Sequence, residues 1–300
     1  MNPRKTIVSL ALALGLLAAP AAAQADFGLV PGSVSAVAEN KDGTITSQAG
    51  SHPFSYTVNF KFNTDESDHT EGGKVRNIIV NPPPGLVGNP LAVPHCSRQL
   101  FEGSTPKCPP STQIGVLHAT VPEVGQIVGP IYNMAAPLGS AGQMSFSLLG
   151  FNVFENASVR SEEGYGLSIG TFDVPIETSA VSETIWGVPA DPGHDSERGP
   201  FLEGISSDAP LQPYLTLPAS CDAPLEITVK ADSKLNPGVF DEQSVVSLDG
   251  GGNPAALVGC DGVPFQPKAS IQPTSKLASS PSGLDFELKL PNQGLMSPGG

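Results

Sequence analysis

Residues 54–62 read Phe-Ser-Tyr-Thr-Val-Asn-Phe-Lys-Phe, so Phe54, Tyr56, Val58, Phe60 and Phe62 share one face while Ser55, Thr57, Asn59 and Lys61 share the other. A period of two held over nine residues predicts a half-buried β-strand. Weaker forms of the pattern recur at 75–80, 114–121, 144–149, 165–174, 184–188, 225–231, 245–248 and 284–290. Gly, Pro, Asn or Asp fill nearly every gap between them, as tight turns require. Residues 97–101 suit one short helical turn, and no stretch beyond residue 25 sustains a 3.6-residue period. The pattern predicts an all-β chain of antiparallel β-sandwich units, Ig-like in architecture and two in number, with long Pro/Gly-rich loops.

The units divide where the alternation lapses. Residues 26–188 read as a first sandwich unit. Residues 189–220 carry Pro189, Pro192, Pro200, Pro210, Pro213 and Pro218 around Asp191, Asp195, Glu197 and Arg198, which suits a long loop or linker. Residues 221–269 form a second, small β unit. A short echo marks the rest: Ala49-Gly50-Ser51-His52-Pro53 precedes the strand at Phe54, and Ser279-Ser280-Pro281-Ser282-Gly283 precedes the one at Leu284. On that basis residues 270–300 are expected to open a further, truncated repeat.

The first 25 residues change the picture from fold to compartment. Arg4 and Lys5 precede an apolar run at 7–19, and Ala21-Ala22-Ala23 and Ala23-Gln24-Ala25 both offer small-x-small cleavage sites. This is the layout of a secretory signal peptide. No Cys follows the run, which argues against a lipoprotein anchor. No later stretch approaches the ~18 apolar residues that span a bilayer. The expected location is extracellular or at the cell surface. The chain carries 33 Gly and 31 Pro, roughly a fifth of its residues against ~12% in an average protein, which fits many turns joining short strands. Its formal charge of −14 disfavours nucleic acid and anionic lipid, both of which need clustered Lys and Arg. Partners stay unnamed, with other surface proteins or envelope polymers as the candidates.

Four cysteines, Cys96, Cys108, Cys221 and Cys260, suit disulfides in an oxidising space. No C-x-x-C pair supports structural zinc. Three connectivities exist, and local pairing of Cys96 with Cys108 and Cys221 with Cys260 lets each unit close its own loop, for about 3 and about 4 kcal/mol in a loop-entropy account.

Candidate chemistry is sparse. Gly166-Leu167-Ser168-Ile169-Gly170 matches the G-x-S-x-G elbow of serine hydrolases, yet Thr171 to Val174 continue a strand where the elbow needs a helix. If Ser168 were a nucleophile, His194 with Asp191 or Asp195 would be its base and orienting acid. Asp191-Pro192-Gly193-His194-Asp195 places two carboxylates and an imidazole in one turn, a candidate polar cluster that turn formation also explains. Asn63 to Gly73 holds four carboxylates in a loop, with only weak support for calcium because the D-x-[DN]-x-[DN]-G spacing is incomplete. Trp186, the single tryptophan, reads as core rather than a sugar platform. Leu290-Pro291-Asn292-Gln293-Gly294 lacks the Thr and apolar tail of a sortase signal.

The run Pro82-Pro83-Pro84-Gly85-Leu86-Val87-Gly88-Asn89-Pro90, then Cys96 and Cys108-Pro109-Pro110-Ser111 leading into Ile114-Gly115, resembles the opening unit of large uncharacterised exported β-rich repeat proteins of actinobacterial type. Pro130-Ile131-Tyr132-Asn133, Trp186-Gly187-Val188-Pro189-Ala190-Asp191 with His194-Asp195, Cys221, Gly259-Cys260 and Pro264-Phe265 extend the likeness over roughly residues 45–290. It implies a β-rich, surface-associated architecture and assigns no catalytic residue. The expectation is a non-enzymatic exported protein, surface- or envelope-associated, with a structural or adhesive role. The alternative is a secreted hydrolase built on Ser168.

Overall fold

The computed structural model describes residues 26–103, 105–161, 164–199, 204–263 and 267–289. The expected export signal, Pro264-Phe265 and everything from Leu290 onward lie outside the described residues. In chain order the strands are β1 (Ser35–Glu39), β2 (Ser55–Lys61), β3 (Val75–Asn81), β4 (Val87–Gly88), β5 (Gln113–Val121), β6 (Gly125–Met134), β7 (Gly142–Leu148) and β8 (Phe151–Val159). They continue with β9 (Leu167–Thr171), β10 (Ala180–Trp186), β11 (Leu215–Thr216), β12 (Glu226–Ser233), β13 (Asp241–Val246), β14 (Lys268–Pro273) and β15 (Leu284–Lys289). One helical turn, α1 (Arg98–Phe101), follows Ser97, whose side chain caps it by accepting from the Leu100 N–H. The chain is all-β and antiparallel, and the helical turn stands where the sequence places it.

Eleven strands form one sheet in the order β1-β2-β10-β5-β6-β7-β8-β9-β3-β12-β13. The sheet folds over on itself into two facing layers and nearly closes. The turning strand is β6: residues from Gly125 to Tyr132 pair with β5, whereas Tyr132 to Met134 pair with β7. Gly129-Pro130 in its middle breaks the alternation that would have disclosed it. At the β7–β8 hairpin only Leu149 and Gly150 lie between the strands, with φ of 51° and 82°, the paired left-handed geometry that matches strand twist.

Inward residues of the main sheet make the core. Tyr56, Val58 and Phe60 of β2 meet Leu117 of β5, Phe146 and Leu148 of β7, Val80 of β3 and Val229 and Ala231 of β12. A second, smaller cluster lies outside the sheet, where Phe101 packs against Tyr132, Met134 and the Cys96–Cys108 bridge. Both disulfides are local, Cys96 with Cys108 and Cys221 with Cys260.

The strands expected to make a second small unit instead extend the large sheet: β12 pairs with β3 and β13 with β12. The physical reason is that β12 buries Ile227, Val229 and Ala231 completely, and only the common core offers enough apolar surface to cover them. The Pro-rich stretch 189–220 also packs back. Tyr214, Leu215 and Leu217 are buried, and β11 pairs with β4 across one end of the sheet. By contrast β14 and β15 pair only with each other. The strand expected at 284–290 is therefore present as β15, outside the main sheet.

Candidate functional site

The interior of the folded sheet holds a pair the alternation concealed. Glu155 of β8 and Glu183 of β10 both point inward, at ladder positions beside Met144 and Thr171 in one layer and Val58 and Leu117 in the other. Each carboxyl group feels the other as a close neighbour, and Glu155 Oε2 has no hydrogen-bond partner among the described residues. Thr171 Oγ1 donates to Glu155 Oε1 at 3.1 Å. Burial raises both carboxyl groups above their ordinary value, and Glu155 as a neighbour raises Glu183 further. The buried hydroxyls of Tyr56 and Tyr214 are likewise held neutral, chiefly by burial and, for Tyr214, by the two carboxyls.

Two apolar hollows flank this pair, of about 40 Å³ and about 100 Å³, with Glu183 in the wall of both. Organic ligands generally occupy some 300 Å³ or more. These hollows suit a few water molecules, and the pair lacks the room that acid–base work on a substrate needs.

The cluster Asp191, His194 and Asp195 forms at the far end of β10, and its members face different ways. Asp191 caps a 3₁₀ turn over Pro192–Glu197, accepting from Gly193 N–H at 2.7 Å, and binds Lys41 Nζ at 2.7 Å. Asp195 accepts from Arg198 Nε at 3.3 Å. His194 is 1% exposed and stacked between Phe54 and Trp186, with ring centroids 3.9 Å and 4.5 Å away. Neither ring nitrogen has a hydrogen-bond partner among the described residues. Burial, only partly offset by the charge of Asp191, drives its pKa down to about 3, so the ring is neutral at pH 7.

Arg198 completes the stack. It lies 5.0 Å from the Trp186 ring, is fully buried, and donates to the carbonyls of Pro189 at 2.7 Å and Pro110 at 3.3 Å. Gly187 is needed here, because a Cβ at that position would run into the Pro53 carbonyl. Trp186 is fully buried, a core residue rather than a binding platform. The cluster does the work of a stacked structural knot that anchors loop 189–199 to β10 and β2.

Ser168 lies on the opposite face of β9 from Leu167 and Ile169, which turn inward, and is paired with Ser158 of β8. The ring of His194 meets Phe54 and Trp186 instead, so the proposed base and nucleophile are not brought together. In the loop 63–73 Asp65 accepts from Ser67 and His69 N–H groups. Glu177 accepts from Thr70 and pairs with Lys74 and His69, interactions that outweigh burial and lower its pKa. Among the described residues no three His, Cys, Asp or Glu side chains converge to hold a metal ion.

A much larger opening than these hollows lies at the seam between the two end strands of the sheet. A groove of about 940 Å³ runs between β1 and β13, floored by Ala36, Ala38, Leu225, Ile227, Val245 and Leu257. Sequence reading missed it because a seam arises from strand order, which no local pattern records. No protein-family model, no curated protein and no solved structure matches the chain.

Proposed function

We propose that this is a non-enzymatic exported protein of the cell surface or envelope, with a structural or adhesive role and no chemistry of its own. The observation that carries the reading is the β14–β15 hairpin. Every residue of both strands is exposed, and Ile271, Leu284, Phe286 and Leu288 form an apolar face on it, each at least half exposed. Apolar surface of that kind marks a place where something else docks. The export signal and the two disulfides support an oxidising, extracellular setting. Other surface proteins or envelope polymers are the partners this face suits. The alternative, a hydrolase using Ser168 with His194 and Asp191 or Asp195, requires an approach that these side chains do not make.

Fractionating cells that produce the full chain tests the reading. The processed protein is expected in the envelope fraction, and deletion of residues 268–289 is expected to release it to the medium. Retention in the cytoplasm, or Ser168-dependent labelling by a fluorophosphonate, would refute it.

A further inference from the structure

Eleven antiparallel strands leave the two ends of the sheet, β1 and β13, running in the same direction. They cannot close as an antiparallel pair, but one strand running against both would complete the ring. The amide groups at the seam are set for it. Ser247 N–H donates to Leu225 O at 2.7 Å, so by alternation Asp241, Gln243 and Val245 bond toward β12 while Glu242, Ser244 and Val246 turn their backbone toward the gap. Thr46 N–H donates to Ala38 O at 2.8 Å on the side of β1 away from β2, so the edge at Ala38 is already taken and, by alternation, Ala36 is the β1 residue whose backbone faces the open gap. The gap-facing groups of Ala36, Glu242, Ser244 and Val246 have no backbone partner among the described residues. One end of the slot is capped by Leu29, whose N–H donates to Asp241 Oδ2 and whose carbonyl accepts from Gln243 Nε2.

The same chain carries a strand without a place in the main sheet. From Leu284 to Lys289, β15 alternates strictly, with Leu284, Phe286 and Leu288 on one face and Asp285, Glu287 and Lys289 on the other. We infer that β15 of one copy inserts between β1 and β13 of a second copy, closing the second copy's sheet and linking the molecules head to tail. This deepens the structural role proposed above and rests on it.

The side-chain geometry agrees on both edges at once. Opposed residues in a ladder point to the same face. The partner of Ala36 must therefore point inward, as Phe286 would, with Leu288 on the same face over the apolar floor. Partners of Glu242 and Ser244 must point outward, as Asp285 and Glu287 would. In leaving β14, β15 gives up one ladder and gains two, together with burial of its apolar face. The nearest Cα atoms of β1 and β13 lie within 8 Å, whereas an inserted strand needs roughly 9.5 Å between them, so the edges part by at least about 1.5 Å to admit it. A contact between two different surfaces does not close on itself, and the expected product is an open chain of molecules.

Sedimentation of the secreted, disulfide-bonded chain tests the inference. Wild type is expected to form oligomers that grow with concentration and, because Asp285 and Glu287 come beside Glu242, also with ionic strength. Phe286→Asp spoils the donor and Ser244→Pro spoils the acceptor edge. Each is expected to weaken self-association by roughly 30-fold or more, the effect of losing one central anchor. Mixed together, the two variants should form one-to-one pairs, since one keeps a sound seam and the other a sound strand. If Ser244→Pro does not fold, a synthetic peptide of residues 284–290 takes its place; it should bind the Phe286→Asp variant and dissolve wild-type oligomers. A monomeric wild type, oligomers that both variants retain, or a mixture that forms no pairs would overturn the inference. Envelope retention by a monomer would discard strand exchange alone and leave the structural role standing.

Discussion

Glu155 of β8 and Glu183 of β10 both turn into the folded sheet, where the carboxyl of Glu155 makes that of Glu183 still harder to ionise than burial alone does. Burial raises both, and a carboxyl raised in the folded state stabilises the fold below its folded pKa, an advantage lost as pH climbs from the ordinary value of 4.5. Stability to urea is therefore expected to fall on the alkaline limb, at up to about 1.4 kcal/mol per pH unit for one proton. Glu183→Gln removes the more strongly raised carboxyl and is expected to flatten that limb and to exceed wild type at pH 8. Identical urea midpoints for the two proteins from pH 5 to pH 8 would rule this out.

His194 sets the acid limb, with the opposite sign. Its pKa falls from 6.5 to about 3 in the fold, so the unfolded chain takes up a proton that the folded chain refuses between those values. Its contribution is complete above pH 6.5 and lost as pH falls toward 3, again at up to about 1.4 kcal/mol per unit. Between pH 4.5 and pH 6.5 the two limbs offset each other. His194→Phe keeps a flat ring between Phe54 and Trp186 and removes the titration, so between pH 6.5 and pH 4.5 its urea midpoint is expected to rise as pH falls, following the carboxyl pair alone, where wild type stays nearly flat. An unchanged acid slope in that variant would place the titrating group elsewhere.

How much of this was legible follows from where the alternation survives. Strand β2 was plain because all its inward residues are apolar. Strand β8 was missed because Glu155 occupies an inward position and Phe154 faces outward to pack on Phe101 and Arg98, so the pattern reads as mixed. Glu183 was lost in the same way: the apolar signal starts at its neighbour Thr184, whereas β10 starts at Ala180. The cluster at 191–195 was visible as residues but not as a stack, since Trp186, Phe54 and Arg198 reach it from elsewhere in the chain. Local cysteine pairing was readable because short loops close most easily.

Arg198 is buried with its charge shared between Asp195 and the carbonyls of Pro189 and Pro110. Truncation leaves those acceptors unpaired and removes the cover from Trp186. Arg198→Ala is expected to cost about 3 to 5 kcal/mol in urea unfolding. Arg198→Lys should recover only part of it, because an ammonium cannot reproduce the planar fork. A loss below about 1 kcal/mol for the alanine variant would show that the knot is not what holds loop 189–199.

The Cys96–Cys108 bridge packs against Phe101, Tyr132 and Met134, outside the main core. Replacing both cysteines by Ala is expected to lower stability by about 3 kcal/mol, the value of a loop of that length. It should free α1 and leave β2 and β10 untouched. Amide protection that collapses throughout the sheet would show that the small cluster is part of the cooperative core.

The central claim is that β15 is presented to a partner rather than built into the body of the molecule. Hydrogen exchange on the secreted chain, at a concentration low enough to keep it monomeric, measures this by comparing amides of Leu284–Lys289 with those of Ser55–Lys61. Strand β2, paired on both sides by β1 and β10, is expected to be protected to near the global unfolding limit. Strand β15, held only by β14, is expected to exchange orders of magnitude faster. Equal protection of the two strands in the monomer would mean that β15 completes its own fold, and would contradict the account.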